Sequence, residues 1–287
     1  MPRSTSAPRP PLPVVAAAAL GLGLGLACAP RAASPTRSPA DAIPRAKVPA
    51  SVGAKPGILS AQHRAPTLAD LDDRETIAAV VYAVLSVEVD PTTLDPNYFL
   101  VALDDGRRRR PTEVRLTAAS ERDENRTLIL GVARPEGAER VRPLAVTITG
   151  PVFGEGGEPL EGLAAEVDGL EAPPRLVQAL RVREGAGACA GGQAIHTFWS
   201  VPIAGGEAID LAAVTITLRD GSVTQPAASD DHRLGPGALQ GDDNVVDFCV
   251  GQSSPATRIS VSGDLLRDHF GNASAAGESV ILGAPRS

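Results

Sequence analysis

Aromatic side chains make up only 3% of this 287-residue chain, with one Trp, two Tyr and five Phe. Its core must therefore be built mainly from Val, Leu, Ile and Ala. Lysine is almost missing: Lys47 and Lys55 are the only two, and every other cation is Arg. Together with abundant Ala, Gly and Pro, this bias reads as GC-rich coding rather than as a nucleic-acid surface. The net charge of −7 argues further against a nucleic-acid partner. No apolar run is long enough to span a bilayer, which needs about 20 residues; the uncharged apolar stretch Val14 to Ala27 has 14.

Chemical motifs are scarce too. His63, His196, His232 and His269 include no two at helical metal-ligand spacing, and neither HExxH nor CxxC occurs. The Gly-x-Ser-x-Gly elbow of serine hydrolases is missing. The Gly-rich run 185–192 has no Lys-Ser/Thr after it, which excludes a phosphate loop. Its Cys189 has no visible partner base, so thiol catalysis is disfavoured. No catalytic residue is assigned.

What is present begins with a leader. Arg3 and Arg9 precede the uncharged Val14–Ala27 stretch, the pattern of an export signal. The stretch ends Leu24-Gly25-Leu26-Ala27-Cys28, which resembles the lipobox of bacterial lipoproteins. That resemblance implies cleavage before Cys28 and lipidation of its thiol, with palmitate among the acyl chains. Several chains together hold a protein to a membrane where one is marginal. Gly25 stands where the family usually carries an aliphatic residue. An ordinary secretory signal, or a retained anchor, is the other reading. Ala29 after the Cys gives no inner-membrane retention cue, so the expected location is the outer membrane of the cell envelope.

Residues 28–66 have linker composition, rich in Ala, Pro, Ser and Arg, and are expected to form a disordered tether. Arg31, Arg37, Arg45, Lys47, Lys55 and Arg64 face only Asp41 in charge. Such an arm is either a plain solvated spacer or a basic segment that lies on anionic headgroups.

Beyond the tether the chain repeats itself. Phe99-Leu-Val-Ala-Leu-Asp-Asp-Gly106 matches Val214-Thr-Ile-Thr-Leu-Arg-Asp-Gly221 at an offset of 115. Ala145-Val-Thr-Ile-Thr-Gly150 matches Arg258-Ile-Ser-Val-Ser-Gly263 at 113. A unit of that length is a domain. Apolar positions recur every second residue: Leu128, Leu130 and Val132; Leu144, Val146 and Ile148; Val214, Ile216 and Leu218; Val246, Phe248 and Val250; Ile259 and Val261. This period predicts strands with one buried and one wet face. Asp-Gly at 105–106 and 220–221 supplies turns between strands. The expected fold is all-β, with two tandem antiparallel β-sandwiches at 67–170 and 171–287 after the signal peptide (1–27) and tether (28–66).

Further phrases carry a family resemblance. The first unit has Val89-Asp-Pro-Thr-Thr-Leu94 and closes on Ile148-Thr-Gly-Pro-Val-Phe-Gly-Glu155-Gly-Gly-Glu158. The second has Ile209-Asp-Leu211 and closes on Val261-Ser-Gly-Asp-Leu-Leu-Arg-Asp268-His-Phe-Gly-Asn272. Over roughly 67–285 the units resemble the bacterial Ig-like domains of S-layer and other cell-envelope proteins. The first departs by carrying Glu155 and Glu158 for the usual Asp and Asn; the second lacks the Pro-Thr phrase. The resemblance implies a fold more than a function.

With Cys28 lipidated, Cys189 and Cys249 remain, an even pair that suggests a disulfide in an exported protein. It would close about 60 residues and contribute on the order of 4 kcal/mol. Cys249 falls opposite Phe248 in the alternation, so the bridge is expected to staple a loop on the outer face. Trp199 is expected in the core or between domains. Asp230, Asp231, Asp242 and Asp243, with Asp268 and Asn272 as a second set, are the candidate calcium ligands on irregular backbone; solvated turn residues are the alternative. Arg107 to Arg110 suit either an acidic envelope polymer or a solvated hairpin tip. The first functional expectation is a non-enzymatic envelope lipoprotein whose sandwiches act as a structural or adhesion module toward an envelope protein or polysaccharide. A calcium-dependent or glycan-binding module is the second. An enzyme whose site assembles only in three dimensions, around His196, His232 or His269, is the third.

Overall fold

Short β-branched and aliphatic runs, punctuated by Gly, Pro and Asx turns, give sixteen strands among the described residues. The computed structural model describes residues 55–65, 77–117, 124–134, 141–182, 189, 192–204, 209–230, 244–251 and 254–283. All lie within one unit, Ala46–Ser287. The first half contains β1 (Ile58–Arg64), β2 (Ile77–Leu85), β3 (Phe99–Leu103), β4 (Arg108–Arg109), β5 (Glu113–Leu116), β6 (Thr127–Ala133), β7 (Pro143–Ile148) and β8 (Ala164–Glu166). The second contains β9 (Leu176–Val182), β10 (Gln193–Trp199), β11 (Val214–Leu218), β12 (Val223–Thr224), β13 (Ala228–Asp230), β14 (Val245–Val250), β15 (Ala256–Val261) and β16 (Gly277–Gly283).

The fold is all-β, and its sheets repeat with a shift of eight strands. One four-stranded sheet has the order β1-β2-β6-β5 and a second β4-β3-β7-β8. The eight-stranded sheet reads β12-β11-β15-β16-β9-β10-β14-β13, the same two orders joined edge to edge. The join is a parallel pairing of Ile281–Gly283 with Ala179–Arg181. The first half makes the same closure with a single parallel bridge between Gln62 and Asp168. There the His63 N–H donates to Asp168 O at 2.8 Å and the Asp168 N–H to Ala61 O at 2.9 Å. Four strands ordered A-B-E-D facing C-F-G plus one edge strand is the topology of an immunoglobulin-type sandwich.

The repeated hairpins follow from their turn residues. Gly106 (φ 79°) and Gly221 (φ 83°) take the left-handed conformation that closes a three-residue hairpin loop. Asp105 Oδ1 accepts from the Arg107 N–H and Asp220 Oδ1 from the Ser222 N–H, each at 2.9 Å. Asp95 and Asp210 cap equivalent 3-10 turns that lead into β3 and β11. Ile209-Asp-Leu211 therefore corresponds to Leu94-Asp95-Pro96, not to Val89-Asp90 as the sequence phrase suggests. Asp90 caps a separate turn, Pro91–Thr93.

Each half has its own apolar core. Leu85, Phe99, Val101, Leu128, Leu130, Val146, Ile148 and Leu160 fill the first. Ile195, Trp199, Ile216, Val246, Phe248, Ile259 and Val261 fill the second. Trp199 is fully buried there, its Nε1–H donating to Thr197 Oγ1 at 3.2 Å.

Three expectations need correction. Composition predicts a tether through residue 66, yet Ile58–Arg64 is a strand paired along β2. Its residues Gln62, His63 and Arg64 are polar and buried, so composition concealed an element held by backbone pairing. The two-residue period predicts Leu144 in the core, but it is exposed. A register shift at Ala102/Leu103, matched by one at Thr217/Leu218, turns it outward. Finally, β2, β6, β10 and β14 do not each have a wet face. They are buried almost throughout, because the outer faces of the two inner sheets are covered.

The other half covers part of each face, and the Cys189–Cys249 bridge covers the Ala194 end of β10. Val84 of β2 packs with Leu180, Phe198 and Val245. Reciprocally, Val201 of the second half packs with Ile77, Val80, Tyr82 and Ile129. The Arg126 guanidinium lies 5.8 Å over the Phe198 ring. We expect Phe198→Ala, which empties the centre of this apolar contact, to cost about 3–5 kcal/mol in urea unfolding. A cost below about 1 kcal/mol would mean that the seam is loosely packed.

Candidate functional site

The densest polar chemistry among the described residues lies in the seam between the two halves. Strand alternation decides which side chains reach it. On β1, Ala61 points into the first core, so Gln62 and Arg64 point out of it. Gln62 Nε2 donates to Ala172 O and its Oε1 accepts from Ser200 Oγ, both at 2.6 Å. The Ser200 hydroxyl also accepts from the Arg175 N–H at 3.0 Å.

Arg64 is the centre of this arrangement. Its guanidinium donates to the carbonyls of His63, Leu170 and Ala172 at 3.3, 2.8 and 3.0 Å. It also forms an ion pair at 2.8 Å with Asp268 Oδ2, the two side chains being 3% and 1% exposed. Burial lowers the Arg64 pKa from its usual value, and the Asp268 charge opposes that fall. Asp268 is held by its own loop: Oδ1 accepts from the N–H groups of Phe270 and Asn272 at 3.0 and 2.9 Å, and Oδ2 accepts from Asn272 Nδ2 at 2.9 Å. Gly271, at φ 82°, allows that tight loop. Arg64, Tyr82, Val201, Pro202, His269 and the exposed Phe270 line a shallow depression above the pair.

A second buried pair lies on the outer face of β10 and β14, where His196 Nδ1 and Asp247 Oδ1 are hydrogen-bonded across facing register positions. Cys189 is bonded to Cys249 on this face, with Ala194 and the partly buried Val182 and Ala228 packed around the bridge. The bridge ties Cys189 to the sheet face opposite Phe248, the face that the alternation implies, and both cysteines are buried.

His63 is buried at the rim of the first core rather than carried on a tether. Desolvation, then the charges of Arg64 and Arg142, push its pKa down to about 4.

Of the candidate calcium ligands, Asp230, Asp268 and Asn272 fall among the described residues. Asp268 and Asn272 are neighbours, but the carboxylate is already neutralised by Arg64 and filled by donors, so this set is a buried ion pair and not a cation site. The backbone of Asp230 sits opposite Asp247 in the β13–β14 register. Asp231, Asp242, Asp243 and His232 lie outside the described residues, as does Cys28. Among the described residues no three His, Cys, Asp or Glu side chains gather as a metal set, and no helix is long and apolar enough to cross a membrane. Arg107 to Arg110 are all exposed on and beside β4.

Sequence reasoning missed Arg64 and Gln62, because they lay in a segment of linker composition. It named His196 but not its partner Asp247, which the sequence marks as a lone carboxylate inside the apolar run Val245–Val250. No protein-family model matches the chain, and no curated protein matches its sequence.

Two measurements follow from these groups. Arg64→Ala leaves Asp268 buried without its cation and should cost about 3–5 kcal/mol, whereas Arg64→Met combined with Asp268→Leu should recover most of that loss. A double variant as unstable as the single one would show that the carboxylate is not the source of the penalty. For His63, the neutral form is favoured in the folded chain. Its contribution is complete above pH 6.5 and is lost as the pH falls from 6.5 toward 4, where the unfolded chain takes up a proton that the folded chain refuses. The melting temperature should therefore fall across that window, and His63→Gln should flatten the fall. An unchanged slope would exclude His63 as its cause.

Proposed function

We propose that the chain is an exported lipoprotein, anchored through Cys28, which presents two immunoglobulin-like sandwiches as one rigid, non-catalytic structural or adhesion module of the cell envelope. The observation that carries this reading is the buried seam. Domains joined only by a linker sample many angles. Here an apolar contact, a buried ion pair and the Gln62–Ser200 bond all cross from one half to the other. A rigid pair of sandwiches suits spacing and presentation at a surface. Binding partners would be an envelope protein or polysaccharide.

Other features support the reading. The Cys189–Cys249 bridge fits an oxidising compartment outside the cytoplasm. The Val14–Ala27 stretch and the cysteine that ends it fit a lipoprotein leader. The outward face of β11, β15 and β16 carries Thr215, Arg258, Ser260 and Glu278, with Arg258 paired to Glu278. That is an ordinary solvated sheet face.

Cells fed an alkyne analogue of palmitate test the anchor. The wild-type chain should take up label and sediment with membranes, and Cys28→Ser should lose both. Label retained by Cys28→Ser would overturn it, and free thiols at both Cys189 and Cys249 in the isolated chain would count against export.

A further inference from the structure

We propose that the hairpin of β3 and β4 is a docking edge for a linear anionic polysaccharide, held by Arg107, Arg108, Arg109, Arg110 and Arg142. All five side chains belong to exposed residues. Arg142 joins the group because its carbonyl accepts the Asp104 N–H at 3.0 Å, which sets it beside the hairpin loop. Among the described residues the only ion pair these arginines make is a loose one, Arg107 to Asp105 at 3.4 Å.

The internal repeat shows that the fold does not require them. Val101 faces Arg109 and Ala102 faces Arg108 in the first half; Ile216 faces Thr224 and Thr217 faces Val223 in the second. The two loops close with the same bonds, Leu103 N–H to Arg107 O at 2.9 Å and Leu218 N–H to Ser222 O at 2.8 Å. Ser222, Val223, Thr224 and Gln225 thus build the hairpin that Arg107 to Arg110 build. Pro255 stands in for Arg142, accepting the Arg219 N–H at 2.8 Å. Five arginines occupy one tip, and none of their counterparts is charged, in a chain of net charge −7. Four adjacent cations repel each other, so placing them together costs free energy that a bound polyanion returns.

The geometry selects the shape of that polyanion. β4 ends its sheet, so its outer backbone edge is unpaired among the described strands. Successive side chains alternate to opposite sides of the strand, about 3.4 Å apart along it. A flat lipid surface cannot meet both sides, and it would first meet the exposed acidic apex, Asp104 and Asp105. A flexible chain laid along β4 meets Arg108, Arg109 and Arg110 on both sides of the strand, with Arg107 and Arg142 beside the loop as further cations. Residues 104–112 hold no aromatic side chain, so the edge lacks the base-stacking platform that single-stranded nucleic acid uses. The choice of a polysaccharide rests on the reading of the chain as exported; the binding chemistry itself does not.

The test uses the full chain in neutral detergent and fluorescein-labelled polygalacturonate as the probe, with neutral dextran as the control. The variant Arg107→Ser, Arg108→Val, Arg109→Thr, Arg110→Gln installs residues that already form this hairpin in the second half, and its melting temperature should stay close to that of the wild type. Its affinity for polygalacturonate should fall about tenfold or more, with a flatter salt dependence. The reciprocal variant, Ser222→Arg, Val223→Arg, Thr224→Arg, Gln225→Arg, should gain binding. Equal affinity of wild type and the first variant would overturn the proposal. So would displacement of the polymer by duplex DNA, or by anionic phospholipid doped into the micelles, at lower charge concentration than polygalacturonate itself. Neither result bears on palmitate labelling of Cys28, so the two readings fail separately.

Discussion

The constraint on which the structure depends is that the apolar centre of each inner sheet's outer face is closed by the other half of the chain. An isolated sandwich buries one face of each sheet and leaves the other to water. Here Val80, Tyr82 and Val84 of β2 are as buried as the core-facing Val81, Ala83 and Leu85. Likewise Phe198 of β10 is as buried as Ile195 and Trp199, while Ala194 at the other end of that face packs under the Cys189–Cys249 bridge of its own half. Either half alone would expose a contiguous apolar face of the size that marks an interaction surface or an aggregation liability. The two halves are therefore one folding problem, although each has its own core.

Once the halves are seen as copies, the differences between them become informative. Where both copies agree, the residue serves the sandwich: Gly106 and Gly221 in the hairpin loops, Asp95 and Asp210 on the caps, the paired register shifts after Ala102 and Thr217. Where they disagree, the residue serves something one copy does and the other does not. The Asp268 N–H bonds to Asn272 O as the Gly154 N–H bonds to Glu158 O, so Asp268 replaces a glycine. A Cβ at Gly154 would meet Glu158 Oε2 at 2.6 Å and Glu88 O at 3.1 Å. Only the second copy has room for a carboxylate there, and that carboxylate is the one Arg64 needs.

Much of the fold was legible in the sequence, because a two-residue period states directly which side chains share a face. The strands around Val214, Ile259, Leu128 and Phe248 follow that period, and the Asp-Gly turns follow from the left-handed conformation glycine alone adopts cheaply. The seam was not legible for the same reason. A period of two assumes that the off-phase residues are wet, and Ile129, Phe198 and Val245 look like tolerated surface apolar residues until another sheet is seen to cover them. β1 was hidden more deeply. Residues 58–64 have no apolar alternation, and their place in the sheet comes from backbone hydrogen bonds and from polar side chains that find partners more than a hundred residues away, at Ala172, Ser200 and Asp268.

Why such a seam should be polar at one end and apolar at the other is a question of register. Apolar contacts such as Val84 with Phe198 lower the free energy of association but tolerate sliding, since one aliphatic surface resembles another. A guanidinium buried against one carboxylate and three carbonyls does not tolerate it: displaced by a single strand spacing, Arg64 and Asp268 would each be left charged and unpaired. The ion pair need not add net stability over an apolar substitute to be useful. We read it as the device that fixes the angle between two sandwiches whose greasy faces alone would leave it loose. On that view the apolar patch decides that the halves associate, and Arg64 with Asp268 decides how.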